Sequence, residues 1–382
     1  MALANFFASL TPLQQELVLN GPALPPPPGV KPKFDHPPNA NHIVYPTIIL
    51  ALLVSSAFVI LRLHGRFYCM KTVKIQDVLG IVAFLLFIAE LAIFFEQIQQ
   101  PNARGLFVHQ WNLRIRDLWP FLLRSLILIH FYAGIMLLLK TAILTEWLQT
   151  FSPPGNRGAF YWTCVVTMTL NALFWTIGLF VIDFQCIPFA AIYNKTVPGH
   201  CLPHMKILDV FANTFNLISD IIILILPQGV IWNLRMSPLR RLGLSFVFAV
   251  GLLACLSAGA RLAFTASYYD SNDVTYSYSS VALWTVAEIT CGFIVFSVTG
   301  ISKSLASFKN SRLFSRLSSR HNNSASNVPS GHQVHPAPWK NTRSRSSKDD
   351  DESLIGMRQF EPWKGSIHAH TTEIKPASFI RS

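Results

Sequence analysis

The chain has 382 residues, of which 51% are hydrophobic and only 13% are charged, and its formal net charge is +12. A soluble globular domain carries about 25% charged residues, so the composition argues against a water-soluble fold. The six cysteines include no CxxC pair, which excludes the usual zinc frameworks. The composition therefore predicts an integral membrane protein whose core is surrounded by lipid.

Residues 1–42 form a proline-rich segment that contains four consecutive prolines, Pro25 to Pro28. Because proline lacks a backbone donor and fixes φ, we predict an extended, exposed leader. Seven apolar segments follow, each near the roughly 20 residues that cross a bilayer as a helix. These segments, called spans 1 to 7, are predicted near 43–62, 77–97, 119–146, 160–183, 207–227, 242–266 and 279–302. We predict an all-α seven-transmembrane helix bundle over 43–303.

The composition changes at about residue 304, where the chain becomes rich in Ser, Asn and Arg. From Lys303 onward it holds 13 Lys/Arg and six Asp/Glu but few periodic apolar residues. We predict a disordered basic tail over 304–382. This positive charge flanks apolar spans, which favours a tail beside the membrane and argues against nucleic-acid binding.

The distribution of Lys and Arg predicts the orientation of the spans. With the N-terminus outside, the inner loops and the start of the tail hold 13 of them, and the outer segments hold seven. Such a bias favours an outer N-terminus and a cytoplasmic C-terminus. The second outer loop then contains the glycosylation acceptor Asn194. It also contains Cys186 and Cys201, which we predict to form a disulfide in the oxidising compartment, with free thiols as the alternative.

Several ionisable residues lie inside the predicted spans, where an unpaired charge is costly, and six of them lie at matching depths. Counting about 1.5 Å per residue along each helix pairs them by depth. Three opposite-charge pairs result, namely Lys140 with Asp220, Arg261 with Glu288, and Glu90 with Arg124. One interpretation is that the pairs hold the bundle together. The other is that the outer pairs form a ligand pocket and that Lys140–Asp220 is a switch.

Motifs for catalysis and cofactor binding are absent from the sequence. GxSxG, Walker, HExxH and GxGxxG patterns do not occur, and span 7 has no lysine in its apolar body that could bind retinal. We predict no cofactor, no metal site and no catalytic residue. These observations favour a non-enzymatic protein and leave an enzymatic function open.

The chain resembles the fungal rhodopsin-like seven-helix integral membrane proteins over about residues 46–301. The resemblance rests on ordered motifs: KTAIL from Lys140, DFQCIP from Asp183, ISD ending at Asp220, LILP ending at Pro227, and the single residues His109, Arg261, Asp273 and Glu288. The chain departs from the family's usual residues at three places: Gln76-Asp77, where two acids are usual, Thr145-Glu146-Trp147, where Tyr and Arg often follow the lysine motif, and Ser297-Val-Thr299, where Cys-Leu-Pro is usual.

The resemblance implies a receptor-like (GPCR-like) protein of a fungus, and the missing lysine argues against retinal. The glycosylation acceptor and the predicted outer N-terminus favour the plasma membrane or another secretory-pathway membrane. An unidentified small-molecule ligand would act from outside. Arg235, Arg240 and Arg241, together with the tail, would relay the change to a heterotrimeric G protein or another cytosolic partner. The main alternative is a membrane protein of a secondary-metabolite (mycotoxin) biosynthetic cluster, acting as a membrane-embedded enzyme, transport helper or scaffold.

Overall fold

A computed structural model describes residue 7 and residues 9–100, 105–152, 157–231 and 238–309. Seven helices in these ranges are long and apolar enough to cross a bilayer. The helices of spans 1 to 7 are Asn41–His64, Ile75–Ile98, Ile115–Phe151, Ala159–Asp183, Met205–Ile231, Pro238–Asp270 and Val274–Lys309. The predicted all-α seven-span fold is confirmed, whereas its orientation across the bilayer stays a prediction. The predicted tail beyond residue 309 lies outside the described residues.

Apolar side chains cover both the inside and the outside of the bundle. Phe87, Ile135 and Phe293 are almost fully buried between the spans. Span 4 instead exposes large apolar residues every three or four positions, namely Trp162, Val166, Leu170, Leu173, Ile177 and Phe180. A continuous exposed apolar face of this kind fits contact with lipid rather than with water.

Spans 1, 2 and 7 approach one another closely at the end of the bundle that is predicted to be cytoplasmic. A Cβ atom at Gly80 of span 2 would lie 2.2 Å from the ring of Phe296 in span 7, so this contact requires glycine. The helix of span 1 continues past His64 as a π-helical turn, Gly65–Met70, and Lys71 then adopts a left-handed conformation with φ of 48°. The continuation places Arg66 inside the bundle rather than in a loop.

The N-terminal segment contains a short helix, Pro12–Asn20, which differs from the extended leader that the prolines predict. Thr11 precedes this helix and forms a capping box with Gln14, and Pro12 stands in the first turn, where its missing N–H costs nothing. Downstream, the Ala23 amide donates to the Leu113 carbonyl at 2.8 Å and so ties the segment to the first outer loop.

Two short strands, β1 (Cys186–Ile187) and β2 (His200–Cys201), pair antiparallel in the loop between spans 4 and 5. Short 3₁₀ helices occupy Gln110–Asn112 in the first outer loop and Phe189–Ala191 between the strands. The loops that are predicted to be outside therefore have defined local structure within the described residues.

Candidate functional site

The ion pair between Lys140 of span 3 and Asp220 of span 5 lies in the interior of the bundle. Lys140 Nζ is 2.8 Å from Asp220 Oδ1, and the two side chains are 5% and 14% exposed. The ammonium also donates to Ser219 Oγ at 2.7 Å and to Asn216 Oδ1 at 2.8 Å, and the Asn216 carbonyl oxygen lies at 3.2 Å. All three N–H groups of Lys140 therefore have acceptors.

The second pair joins span 6 to span 7. Arg261 Nε donates to Glu288 Oε2 at 2.9 Å, and both side chains are buried. Tyr132 of span 3 takes part twice, because its hydroxyl accepts from Arg261 Nη2 at 2.6 Å and donates to Glu288 Oε1 at 3.2 Å. The guanidinium carbon also lies 4.5 Å from the centroid of the Tyr132 ring, in cation–π range.

Asn216 of span 5 connects the two pairs into one network. Its Nδ2 donates to Glu288 Oε1 at 2.6 Å and lies 3.3 Å from Asp220 Oδ2. Spans 3, 5, 6 and 7 thus contribute to a single hydrogen-bonded set. We call it the central network, and its members are Tyr132, Lys140, Asn216, Ser219, Asp220, Arg261 and Glu288.

Three members of the central network are not among the predicted site residues. Asn216 precedes Asp220 by one helical turn, and Ser219 is adjacent to Asp220 in sequence. The i, i+4 spacing places Asn216 and Asp220 on one helix face, and this signal could have revealed the amide. Tyr132 lies two turns before Lys140, and its role depends on the neighbouring spans rather than on spacing alone.

The predicted pair of Glu90 and Arg124 does not form. Arg124 is partly exposed, and its Nη1 lies 3.4 Å from the carbonyl oxygen of Pro120 in its own helix. Glu90 is 4% exposed, forms no ion pair in the described part of the chain, and its Oε2 has no hydrogen-bond partner there. Equal depth alone suggested the pair, and equal depth does not by itself bring two side chains into contact.

A second buried charge cluster, absent from the predicted pairs, joins spans 1, 2 and 3. We call it the inner cluster, and its members are Arg62, Arg66, Asp77 and Glu146. Arg62 Nη2 lies 2.7 Å from both Asp77 Oδ1 and Glu146 Oε2, and all four side chains are at most 1% exposed. Both arginines count among the loop charges from which the orientation is predicted. The structure instead buries them, Arg62 in the helix of span 1 and Arg66 in its π-helical continuation.

The inner cluster also reaches span 7. Arg62 donates to the Phe296 carbonyl oxygen at 2.5 Å, and its guanidinium carbon lies 3.8 Å from the centroid of the Phe296 ring. Gln76 Nε2 donates to Glu146 Oε2 at 3.2 Å. Two of the three places at which the sequence departs from the family's usual residues are therefore in direct contact.

The loop between spans 2 and 3, which is predicted to be outside, is held against the start of span 7. His109 Nδ1 lies 2.6 Å from Asp273 Oδ2, and the Gln110 amide donates to Asp273 Oδ1 at 3.0 Å. The His109 ring stacks between Trp111 and Tyr276, with centroid distances of 4.2 and 4.5 Å. This contact brings together two of the residues, His109 and Asp273, on which the family resemblance rests.

The predicted disulfide between Cys186 and Cys201 is confirmed, with the Cα atoms 4.0 Å apart. Asn194 lies between the two strands, and its Oδ1 accepts from the Thr196 amide at 3.1 Å and from the Thr196 hydroxyl at 2.7 Å. Glycosylation of Asn194 stays a prediction. Of the predicted coupling residues, Arg235 lies outside the described residues, and the side chains of Arg240 and Arg241 are also outside the described part.

A cavity of about 650 Å³, its open mouth included, lies between spans 3, 5, 6 and 7. Lys140, Asp220 and Glu288 of the central network line one part of it. The remaining lining runs toward the end of the bundle that is predicted to be cytoplasmic and includes Trp147, Pro227 and Val295. We call this space the inner cavity.

These features define an integral membrane protein with seven spans and a polar network in its interior. The family model described as "Fungal rhodopsin domain" matches residues 61–307, which is more than half of the chain. The chain belongs to this family of fungal integral membrane proteins.

Three similar fungal proteins accompany this family match. The chain is 37% identical over 289 residues to "Fugralins biosynthesis cluster protein 2" of Gibberella zeae, covering 75% of this chain and 71% of that protein. It is 31% identical over 163 residues to a "SAT4 family membrane protein" of Emericella nidulans, covering 43% and 40%. It is 21% identical over 278 residues to "Receptor GIN3" of Arthrobotrys oligospora, covering 72% and 64%. No solved structure matches the chain.

Proposed function

We propose that the protein is a receptor-like seven-helix membrane protein in which ligand binding changes the packing of spans 5 and 6 against spans 3 and 7. The observation that carries this proposal is the central network. Its acids and bases come from four spans, so moving one span breaks charge-assisted hydrogen bonds inside the bundle. The similarity to Receptor GIN3 supports the same function.

The central network has the properties of a two-state element. Removing one partner from a buried ion pair costs about 3–5 kcal/mol, so partly broken arrangements are poorly populated. A ligand that interacts differently with the intact and the rearranged network would shift the balance between the two packings. This argument gives the Lys140–Asp220 pair the role of a switch.

The proposal extends to the parts of the chain that surround the network. We propose an outer leader over 1–42, a membrane domain over 43–303 and a cytoplasmic tail over 304–382, in the plasma membrane or another secretory-pathway membrane. Arg235, Arg240 and Arg241 would contact a heterotrimeric G protein or another cytosolic partner. Their positive charge and their place in the predicted inner loop between spans 5 and 6 support this role.

Guanine-nucleotide exchange tests the proposal. The full-length protein in lipid nanodiscs would be mixed with a purified fungal heterotrimeric G protein. We expect faster exchange than with empty nanodiscs, and a severalfold change in its rate for Asp220→Asn, which weakens the network. Asp270→Asn is the matched control, because Asp270 forms an exposed pair with Lys206 that contributes little. No exchange with either the wild type or folded Asp220→Asn would overturn the proposal.

A second candidate function is that of a membrane component of a secondary-metabolite pathway. The similarity to Fugralins biosynthesis cluster protein 2, which covers most of both chains, favours it. Metabolite profiling of a deletion strain tests this candidate, with the wild-type gene reintroduced as the control. Loss of a metabolite that the wild-type gene restores would support the pathway function, and an unchanged profile would contradict it.

A further inference from the structure

We infer that the inner cavity binds a neutral, largely apolar small molecule with a hydroxyl group, and that this hydroxyl donates to a carboxylate of the central network. The inference rests on the proposed function, because it names the chemical class of a ligand that would act on the switch. It is carried by the composition of the cavity walls and by the hydrogen bonds that the lining residues already make.

The walls of the inner cavity determine the body of the ligand. Apart from the network residues at one part, they are mainly aliphatic and aromatic, including Leu139, Ile143, Ile223, Val247, Phe248 and Val295. Mainly apolar walls with a few polar groups at one part favour a ligand with an apolar body and one polar end.

Lys140 is not available to bind a ligand anion. Its ammonium has three N–H groups and faces four oxygen acceptors within 3.2 Å, from Asn216, Ser219 and Asp220. A ligand carboxylate or carbonyl oxygen would have to displace one of these contacts. At the network end of the cavity, these hydrogen bonds therefore disfavour a ligand whose polar end is an acceptor.

The carboxylates, in contrast, retain capacity to accept. An ionised carboxylate offers about four lone-pair positions. Asp220 uses them for Lys140 and for one long contact with Asn216. Glu288 accepts from Tyr132, Asn216 and Arg261 and is closer to saturation. Asp220 is thus the acceptor that a ligand donor would reach, and the donor would make a charge-assisted hydrogen bond.

The charge balance of the central network determines the charge of the ligand. Lys140 and Arg261 carry two positive charges, and Asp220 and Glu288 carry two negative charges, so the network is neutral as a whole. A charged ligand would add an uncompensated charge inside the bundle, where burial is costly. A hydroxyl supplies the required donor without that charge, and an ammonium group does not.

Photoaffinity labelling tests this inference with three probes of one chain length. The probes are diazirine derivatives of hexadecanol, hexadecanoic acid and methyl hexadecanoate, added to the full-length protein in phosphatidylcholine nanodiscs. We expect the alcohol to label peptides that line the cavity on spans 3, 5 and 6, and to do so about tenfold more than the methyl ester, which has no donor. Equal labelling of these peptides by all three probes would overturn the inference.

Two cavity-filling variants locate the site. Ala254→Trp places an indole in the inner cavity without replacing a network residue and should abolish the labelling. Leu173→Trp on the lipid-facing side of span 4 is the control and should leave it unchanged. If Ala254→Trp does not fold, Val247→Phe fills the same space. Undiminished labelling in a folded cavity-filling variant would place the probe elsewhere and overturn the inference.

The labelling experiment needs no G protein, so it is independent of the nucleotide-exchange assay. Selective labelling by the alcohol without any nucleotide exchange would support the binding site and count against the receptor function. Exchange that responds to Asp220→Asn without selective labelling would support the receptor function and overturn the ligand class inferred here.

Discussion

Asn216 Nδ2 donates to Glu288 Oε1 at 2.6 Å, and this hydrogen bond joins two buried ion pairs that belong to four different spans. The same side chain accepts from Lys140 through its Oδ1. A neutral residue thus connects the charges of spans 3 and 5 with those of spans 6 and 7. Through this connection, a change in the geometry of one ion pair can alter the hydrogen bonds of the other.

Asn216→Ala should destabilise the bundle by about 1–3 kcal/mol, because it removes the buried hydrogen bonds that the amide forms with the charged groups of Lys140 and Glu288. Thermal unfolding in detergent, followed by circular dichroism, measures the change. Asn213→Ala on the same helix is the control, since its Nδ2 donates only to the Asp209 carbonyl in the described structure. Equal losses in the two variants would show that Asn216 does not hold the network together.

Exchanging the charges of Lys140 and Asp220 tests their pairing. Lys140→Asp or Asp220→Lys alone places two like charges together inside the bundle and should cost at least about 3–5 kcal/mol. The double variant restores an opposite pair, so we expect a larger folded fraction in size-exclusion chromatography than for either single variant. Recovery should be partial, because a lysine at position 220 cannot reproduce the contacts of Lys140 with Ser219 and Asn216.

The exposed pair Lys206–Asp270 provides the comparison for this exchange. Surface ion pairs contribute about 0–1 kcal/mol, so reversing either charge there should leave the folded fraction nearly unchanged. A double variant at Lys140 and Asp220 that folds no better than the worse single variant would contradict the pairing.

The spans and two of the three charge pairs follow from the sequence for a simple physical reason. About 20 apolar residues are needed for each crossing, and buried charges need partners at equal depth. Lys140 and Asp220 share a depth, as do Arg261 and Glu288, and the structure places each pair in contact. Depth does not determine which way a helix face points, and for this reason the same argument failed for Glu90 and Arg124.

The inner cluster could not be predicted from span lengths. Arg62 and Arg66 follow the last apolar residues of the predicted span 1, where Lys and Arg are common as loop charges. Arg62 lies in the last turn of the α-helix, the π-helical turn Gly65–Met70 contains Arg66, and both side chains are buried. The acids that receive them, Asp77 and Glu146, come from spans 2 and 3, so the cluster depends on tertiary packing. Two of the three departures from the family's usual residues, at Gln76-Asp77 and at Thr145-Glu146-Trp147, lie in or beside this cluster.

Glu146→Gln should lower the stability of the bundle by about 3–5 kcal/mol, because Glu146 Oε2 accepts from both Arg62 and Arg66. Since buried pairs are screened little, the loss should be similar at low and high salt. Thermal unfolding at two salt concentrations measures it. The control is Glu96→Gln, an exposed acid on span 2 that should change stability by no more than about 0.5 kcal/mol. A small, salt-dependent loss for Glu146→Gln would contradict the inner cluster.

Glu90 and Glu288 are both buried acids, and the structure predicts opposite results when each is changed to glutamine. Glu288 accepts three hydrogen bonds and pairs with Arg261, so Glu288→Gln leaves a buried guanidinium without its counter-charge and should cost several kcal/mol. Glu90 has no ion pair in the described part of the chain. Burying a neutral amide costs less than burying an unpaired carboxylate, so Glu90→Gln should leave stability unchanged or raise it.

Unfolding measurements on Glu90→Gln, Glu288→Gln and Arg124→Gln distinguish a buried acid that has an ion-pair partner from one that has none. Arg124→Gln should resemble Glu90→Gln, since Arg124 interacts with the backbone of its own helix and not with an acid. If Glu90→Gln and Arg124→Gln instead destabilise the protein as much as Glu288→Gln, and the effect of the double variant is less than additive, the two residues interact after all. Such coupling would restore the pairing that depth suggested and would require the outer ends of spans 2 and 3 to turn toward each other.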